Sequence, residues 1–257
     1  MHHLTFASDG RLALFPDETV RRTALRSLVP LLADRALLFC LVDDHLHVVM
    51  NQDRPDAGRS ARAILLRLRS PVPALSPAYI RPVENRSHLQ WLVRYCIEQP
   101  RKHGLECHPA LWSGSCFPDL VGARWLPGLS LGIRAALPRL KTRELMAMAG
   151  MTGHELVPVP EEELLGLGAR EILDATAAAL GVGPVLSGNE PAVARARAVF
   201  AHLCPQPAST LAWALGVTPQ AARRLRARPV EAEAIKAVRL RLALERRLAE
   251  GLVAGSS

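Results

Sequence analysis

The stretch Ala36–Asn51, ALLFCLVDDHLHVVMN, decides how the first half of this chain folds. Ala36–Val42 is an unbroken apolar run suited to a buried strand, and His45–Asn51 is a second. Only Asp43 and Asp44 separate them, so the two runs read as a tight antiparallel hairpin. Side chains alternate along a strand, which puts His45 and His47 on one face and Leu46 on the other. Two neutral imidazoles side by side can hold one divalent cation. The pattern is cheap, however. With nine histidines in 257 residues, chance supplies about one such pair in three chains. Taken alone, it reads more readily as two half-buried histidines with no ligand.

Outward from the hairpin the signals alternate. HHLTFA (His2–Ala7) reads as a first strand, and ETVRRTALRSLVPLLA (Glu18–Ala33) has helical spacing that Pro30 must kink or restart. GRSARAILLRLR (Gly58–Arg69) is a basic amphipathic helix and PAYIRPV (Pro77–Val83) a short edge strand. RSHLQWLVRYCIEQ (Arg86–Gln99) is a helix that Pro100 should stop. The order strand–helix–hairpin–helix–strand–helix implies a small antiparallel sheet with helices packed on it. From about Leu126 to Pro160 Gly and Pro abound and strand signals are scarce, so 127–160 reads as a connector with a helix near Lys141–Ala149. Beyond Glu161 the chain reads as five helices punctuated by Gly or Pro. The expectation is an α+β domain over 1–126 and an all-α domain over 161–257.

A net charge of +8 and a pI near 9.9 favour an anionic partner, nucleic acid or an acidic surface. No apolar run reaches the roughly 18 residues of a membrane span, and the N-terminus lacks a signal-peptide pattern. Five cysteines form no C-x-x-C pair. Reduced thiols in the cytoplasm are the simplest expectation. A rival is a zinc-stabilised interaction protein built on Cys96, His103, Cys107, His108 and Cys116, whose spacings match no familiar finger.

The helix before Pro100 carries the second chemical signal. Tyr95 and Gln99 are four apart and project from one face. A phenol, with an ordinary pKa near 10, attacks poorly at neutral pH. It becomes effective beside a metal-bound phosphate held in line. The amide oxygen of Gln99 can supply a third, hard ligand, favoured by the negative end of the helix dipole. The plainer alternative is an amphipathic helix whose Trp91, Leu92, Tyr95 and Cys96 pack on the sheet.

Together the two segments resemble the single-tyrosine HUH transposases, and within them the tyrosine transposases associated with repetitive extragenic palindromes. That group typically reads MPNHVHLL at the hairpin and RYIHLNPVRAGL at the helix. Here VDDHLHVV and RYCIEQPRKHGL stand there. HPALWSGSCFPDLVGAR is similar to the group's YPWSSYRDYLG stretch, with Trp112, Ser113 and Gly122 in register. The resemblance covers about Met1–Arg124. It implies an HUH nuclease domain of ferredoxin or RRM-like build, with His45, His47 and Gln99 as ligands of Mg or Mn and Tyr95 as nucleophile. It implies cleavage and rejoining of single-stranded DNA, at or beside a hairpin, through a 5′-phosphotyrosine, by a monomer or homodimer. Asp43-Asp44 replaces the group's Pro-Asn, and Gln99 its Asn. The runner-up is a DNA-binding regulator that keeps the fold without catalysis.

STLAWALGVTPQAARRL (Ser209–Leu225) has the pattern of a helix-turn-helix, with Gly216 in the turn, Thr218 as N-cap and Pro219 at the first helical position. Arg223, Arg224, Arg226 and Arg228 make the second helix and its exit basic, as duplex contact requires. The wider region resembles the duplex-binding domain of the bacterial replication initiator DnaA, although VTPQAARRL replaces that protein's GRDHTTV signature. A plain helical bundle with solvated arginines is the alternative.

Overall fold

In a computed structural model, residues 1–8, 10, 12–105, 107–137, 139–151 and 155–254 are described, the last four as backbone alone. The chain divides into two compact units, Met1–Val121 with Leu126–His154, and Gly122–Trp125 with Glu155–Ser257. The class is α+β.

The first unit is built on a four-stranded antiparallel sheet in the order β2-β3-β1-β4, with β1 at His2–Ala7, β2 at Ala36–Leu41, β3 at His45–Met50 and β4 at Tyr79–Pro82. The apolar runs of the hairpin occupy β2 and β3, every residue of β2 being buried. The turn between them is held from outside. The Asp43 carbonyl accepts from the N–H groups of Leu14 and Phe15 at 2.6 and 3.0 Å, and Asp44's carbonyl from Ser8 at 3.2 Å. Asp44 is thereby fixed beside the start of β3.

Helices α1 (Glu18–Leu32) and α2 (Arg54–Leu68) pack together and against the sheet. Asp17 and Asp53 cap them by accepting from the N–H groups of Val20 and Asp56. Leu4, Phe6, Leu46, Val48 and Met50 are fully buried on the sheet face away from His45 and His47. α1 runs through Pro30 without restarting. α3 (Arg86–Lys102) covers the histidine face and also continues past its proline, ending three residues beyond the expected stop at Gln99. Proline is disruptive mainly because its ring strikes the carbonyl four residues back. At Pro100 only the last turn remains to be bent, and the Pro100 carbonyl still accepts from Leu105 at 3.0 Å.

The Trp112 stretch guards the edge of β2. The Trp112 indole donates to the Leu41 carbonyl at 2.7 Å, Leu41 N–H donates to Gly114, and Cys116 N–H to Phe39. Arg21 lies 3.8 Å over the Trp112 ring and donates to Ser113. These bonds occupy backbone groups that an open sheet edge would expose. Gly114 sits inside this seam. A methyl group there would strike the Leu41 carbonyl and lie 2.8 Å from Arg21 Cδ and 2.9 Å from Trp112 Nε1. We expect Gly114→Ala to cost about 1–3 kcal/mol by overpacking, read as a lowered denaturant midpoint. An unchanged midpoint would mean the seam is loose.

The stretch read as a connector is structured. α4 (Phe117–Leu120) precedes it, and within it lie α5 (Ser130–Ala136) and α6 (Thr142–Met148), the latter where a helix is expected near Lys141–Ala149; all three belong to the first unit, α5 packing on β2 and α6 on α3. Short apolar helices of this kind carry too few turns to show a period, so sequence reading passed over α4 and α5. Residues 152–154 of that stretch lie outside the described residues.

The second unit is all helical: α7 (Glu161–Leu164), α8 (Ala169–Ala179), α9 (Pro191–Leu203), α10 (Ala208–Leu215), α11 (Pro219–Arg226) and α12 (Ala232–Ala254). Ile172, Ala196, Val199, Phe200, Leu211, Ala222, Val238 and Leu242 meet in its core. Residues 122–125 join this unit, the Trp125 N–H donating to Ala179 at 2.8 Å. Gly216 ends α10 with φ +61°, and Thr218 caps α11 by accepting from Ala221.

Candidate metal and nucleophile site

Pairing fixes what each strand contributes to the face beneath α3. Directly opposite residues share a face, so His47 stands in one row with Cys40, Thr5 and Tyr79, and Val49 with His3 and Arg81. α3 lays Tyr95, Gln99 and Cys96 over these rows, because positions three and four apart form one helical stripe.

The structure brings His45, His47, Tyr95 and Gln99 together. His45 Nε2 is 3.3 Å from Gln99 Oε1, and the two imidazole centroids are 4.5 Å apart. The Tyr95 ring lies 5.1 Å from that of His47. Gln99 is 2% exposed and His47 3%. Tyr79, the other tyrosine, is 61% exposed and stands two strands from His47, roughly 10 Å by sheet spacing.

The hydrogen bonds aim the imidazoles. His45 Nδ1 is 2.6 Å from Asp44 Oδ1, so it carries the proton and leaves Nε2 with its lone pair facing Gln99. His47 Nδ1 faces Thr5 Oγ1 at 3.3 Å and His3 Nε2 at 3.1 Å. His47 Nε2 is buried with no partner. Leaving such an atom unmet costs about 1–3 kcal/mol. Gln99 can satisfy His45 by turning its NH2 toward Nε2, but that leaves His47 Nε2 as it was.

Burial, aided by coupling to the neighbouring imidazoles of His45, His3 and His103, lowers the His47 pKa to about 2; burial with His88 and Arg81 lowers that of His3 to about 4. Both imidazoles are therefore neutral near pH 7, as a metal ligand must be. Burial raises the Tyr95 pKa, and a hydrogen bond with Gln99 partly offsets it. The residue is a phenol until something at the site draws its proton away.

Asp44 and His3 escaped sequence reading as site residues, and His103 entered it only in the alternative zinc group. Asp44, His45 and His103 form the one group of metal-capable side chains found among the described residues, with ligand atoms within 4.8 Å of one another, and it could hold a metal ion. His103 Nδ1 lies 3.3 Å from Asp43 Oδ1 and 3.8 Å from Asp44 Oδ1, and its ring is 4.8 Å from His45. His103 follows Gln99 by four residues, so helical spacing offered a signal. His3 offered none, since only sheet register brings it to His47. The group contains no cysteine, and Cys96 and Cys116 are fully buried. Burial and its thiol neighbours push the Cys96 pKa well up.

In the second unit Arg223, Arg224 and Arg228 are exposed. Arg226 differs from its sequence reading. Its guanidinium donates to the carbonyls of Ala201, Cys204 and Gln206 at 3.0, 2.9 and 2.6 Å, tying α11 to the end of α9. No helix is long and apolar enough to cross a membrane among the described residues. No protein family profile, curated protein or solved structure matches this chain.

Proposed function

We propose that this protein is a metal-dependent single-tyrosine endonuclease and strand transferase of the HUH transposase kind, acting on single-stranded DNA at or beside a hairpin. The observation that carries the reading is the buried, unpartnered Nε2 of His47, whose imidazole lies beside that of His45, with Gln99 Oε1 at His45 Nε2 and Tyr95 against the His47 ring. Two nitrogens and an amide oxygen fit one divalent cation of the Mg or Mn type. The connectivity β1-α1-β2-β3-α2-β4 is that of a split βαβ sheet, which supports the expected nuclease core.

His45, His47 and Gln99 would hold the metal, whose contribution when bound is to polarise a phosphoryl oxygen and neutralise its charge. The Nε2 side of His45 suits this role better than the Nδ1 side. On the Nδ1 side Asp44 already meets His45, whereas the Nε2 side faces Gln99 Oε1. Asp44 then fixes the tautomer of a ligand, as carboxylates commonly do behind metal-bound histidines. Tyr95 Oη attacks the phosphorus, an O–P bond forms, and the bond to the 3′ oxygen breaks. The phenolic proton leaves to solvent and the 3′ oxygen departs as a hydroxyl. The phosphotyrosine keeps a phosphodiester, so reversal by another 3′-hydroxyl rejoins strands without ATP.

The test is incubation of the full chain with hairpin-bearing single strands and Mg or Mn, followed by denaturing electrophoresis. A covalent protein–DNA band mapping to Tyr95 is expected. No adduct across such a set, with folded protein and bound DNA, would overturn the reading in favour of a non-catalytic regulator.

The second unit would locate the target through a helix-turn-helix of α10 and α11. Replacing Arg223, Arg224 and Arg228 with Ala should weaken duplex and hairpin binding, and each lost phosphate contact should reduce the salt slope by about 0.9. Arg226→Ala should act otherwise, costing at least about 2 kcal/mol of stability because three carbonyls lose a charged donor. Binding of the triple variant equal to the parent at two salt concentrations would remove this assignment.

A further inference from the structure

Along α3, His88, Trp91, Tyr95, Gln99 and Lys102 recur at three- and four-residue spacing, so they form one stripe. Trp91 has no part in the chemistry above and none in the core. Its indole is 55% exposed, yet it is ordered against the nucleophile: the Trp91 and Tyr95 rings are 4.7 Å apart and 20° from parallel. This half-exposed indole borders the one tyrosine that reaches the histidines and leaves its outer face open to a ligand. Cations flank it. Lys102 Nζ is 4.8 Å from the Tyr95 ring centre, with Glu98 its ion-pair partner at 3.5 Å. Arg81, across the sheet from His3, lies 4.7 Å over the exposed ring of Tyr79. An open aromatic stack with a lysine at its Tyr95 end suits a planar ligand that carries phosphates.

We propose that Trp91 is a stacking platform for one unpaired base of single-stranded DNA, next to the phosphodiester that Tyr95 attacks; the location beside the reacting phosphate rests on the function proposed above. A base laid on the indole extends the Trp91–Tyr95 stack by one ring and anchors the strand against the helix that carries the nucleophile. Bases within a duplex already stack on their neighbours, so the platform selects unpaired nucleotides. Base–aromatic stacking tolerates any sequence, since every base presents a π-face.

The test uses the full chain carrying Tyr95→Phe, which keeps the ring and blocks attachment. Its probes are a fluorescein-labelled oligothymidylate of about sixteen nucleotides and an abasic strand of equal length and charge. Trp91→Ala should weaken oligothymidylate binding about tenfold and leave abasic-strand binding unchanged, and Trp91→Phe should retain most of the affinity. Equal affinity of Trp91→Ala and its parent for oligothymidylate would overturn the proposal, as would an equal loss on both strands. The catalytic reading fails separately. Missing adducts with the Trp91 effect intact would leave a base-binding site and remove the nuclease, and Tyr95 adducts with no Trp91 effect would do the reverse.

Discussion

Tyr95→Phe should abolish covalent attachment to single-stranded DNA, a fall of at least about a thousandfold in adduct yield. The variant loses one oxygen and keeps the ring that packs 5.1 Å from His47 and stacks on Trp91. Only its hydrogen bond with Gln99 goes with the hydroxyl. DNA binding and thermal stability should therefore stay near those of the parent, which separates lost chemistry from lost structure. Tyr79→Phe is the matched control. Tyr79 shares the sheet face with His47 but stands two strands away at the edge, and its substitution should leave adducts intact. Adducts that survive in Tyr95→Phe and vanish in Tyr79→Phe would transfer the role to the edge strand.

The second large effect concerns the donors. His45→Ala and His47→Ala should each suppress cleavage by a hundredfold or more, on the order of losing a main electrostatic stabiliser of the reacting phosphate, and a chelator should reproduce the loss. Metal binding, followed by the spectroscopic signal of Mn, gives a readout free of catalysis. His47→Ala should abolish it and leave the sheet folded, since His47 Nε2 contributes no hydrogen bond and only the Nδ1 contacts with Thr5 and His3 are lost. Asp44→Asn is the informative partner. As the residue that orients His45, it should weaken Mn binding about 10–100-fold without abolishing it. If Asp44 and His103 held the metal themselves, Asp44→Asn would abolish binding and His47→Ala would leave it intact. Full cleavage in a chelator would sink the metal mechanism.

Much of the site could be read along the chain because it rests on local periodicity. Period two put His45 and His47 on one strand face, and a four-residue interval put Tyr95 and Gln99 on one helix face. The strands and principal helices were legible for the same reason, each being long enough to show its period. Short elements were not. Pro100 does not act as the expected stop, since α3 runs on to Lys102 with the proline inside its last turn.

What the sequence by itself determined is thus the pair of faces; it could not say that they meet. The approach of Gln99 to His45 and of Tyr95 to His47 follows from α3 lying across the sheet, a packing decision that buried area makes and periodicity does not. Sheet register then brings His3 and Thr5 to His47 from more than forty residues away. Arg226 shows the same division. Four arginines in one basic run look alike as charges, and only the end of α9 beneath α11 turned one of them into a structural donor.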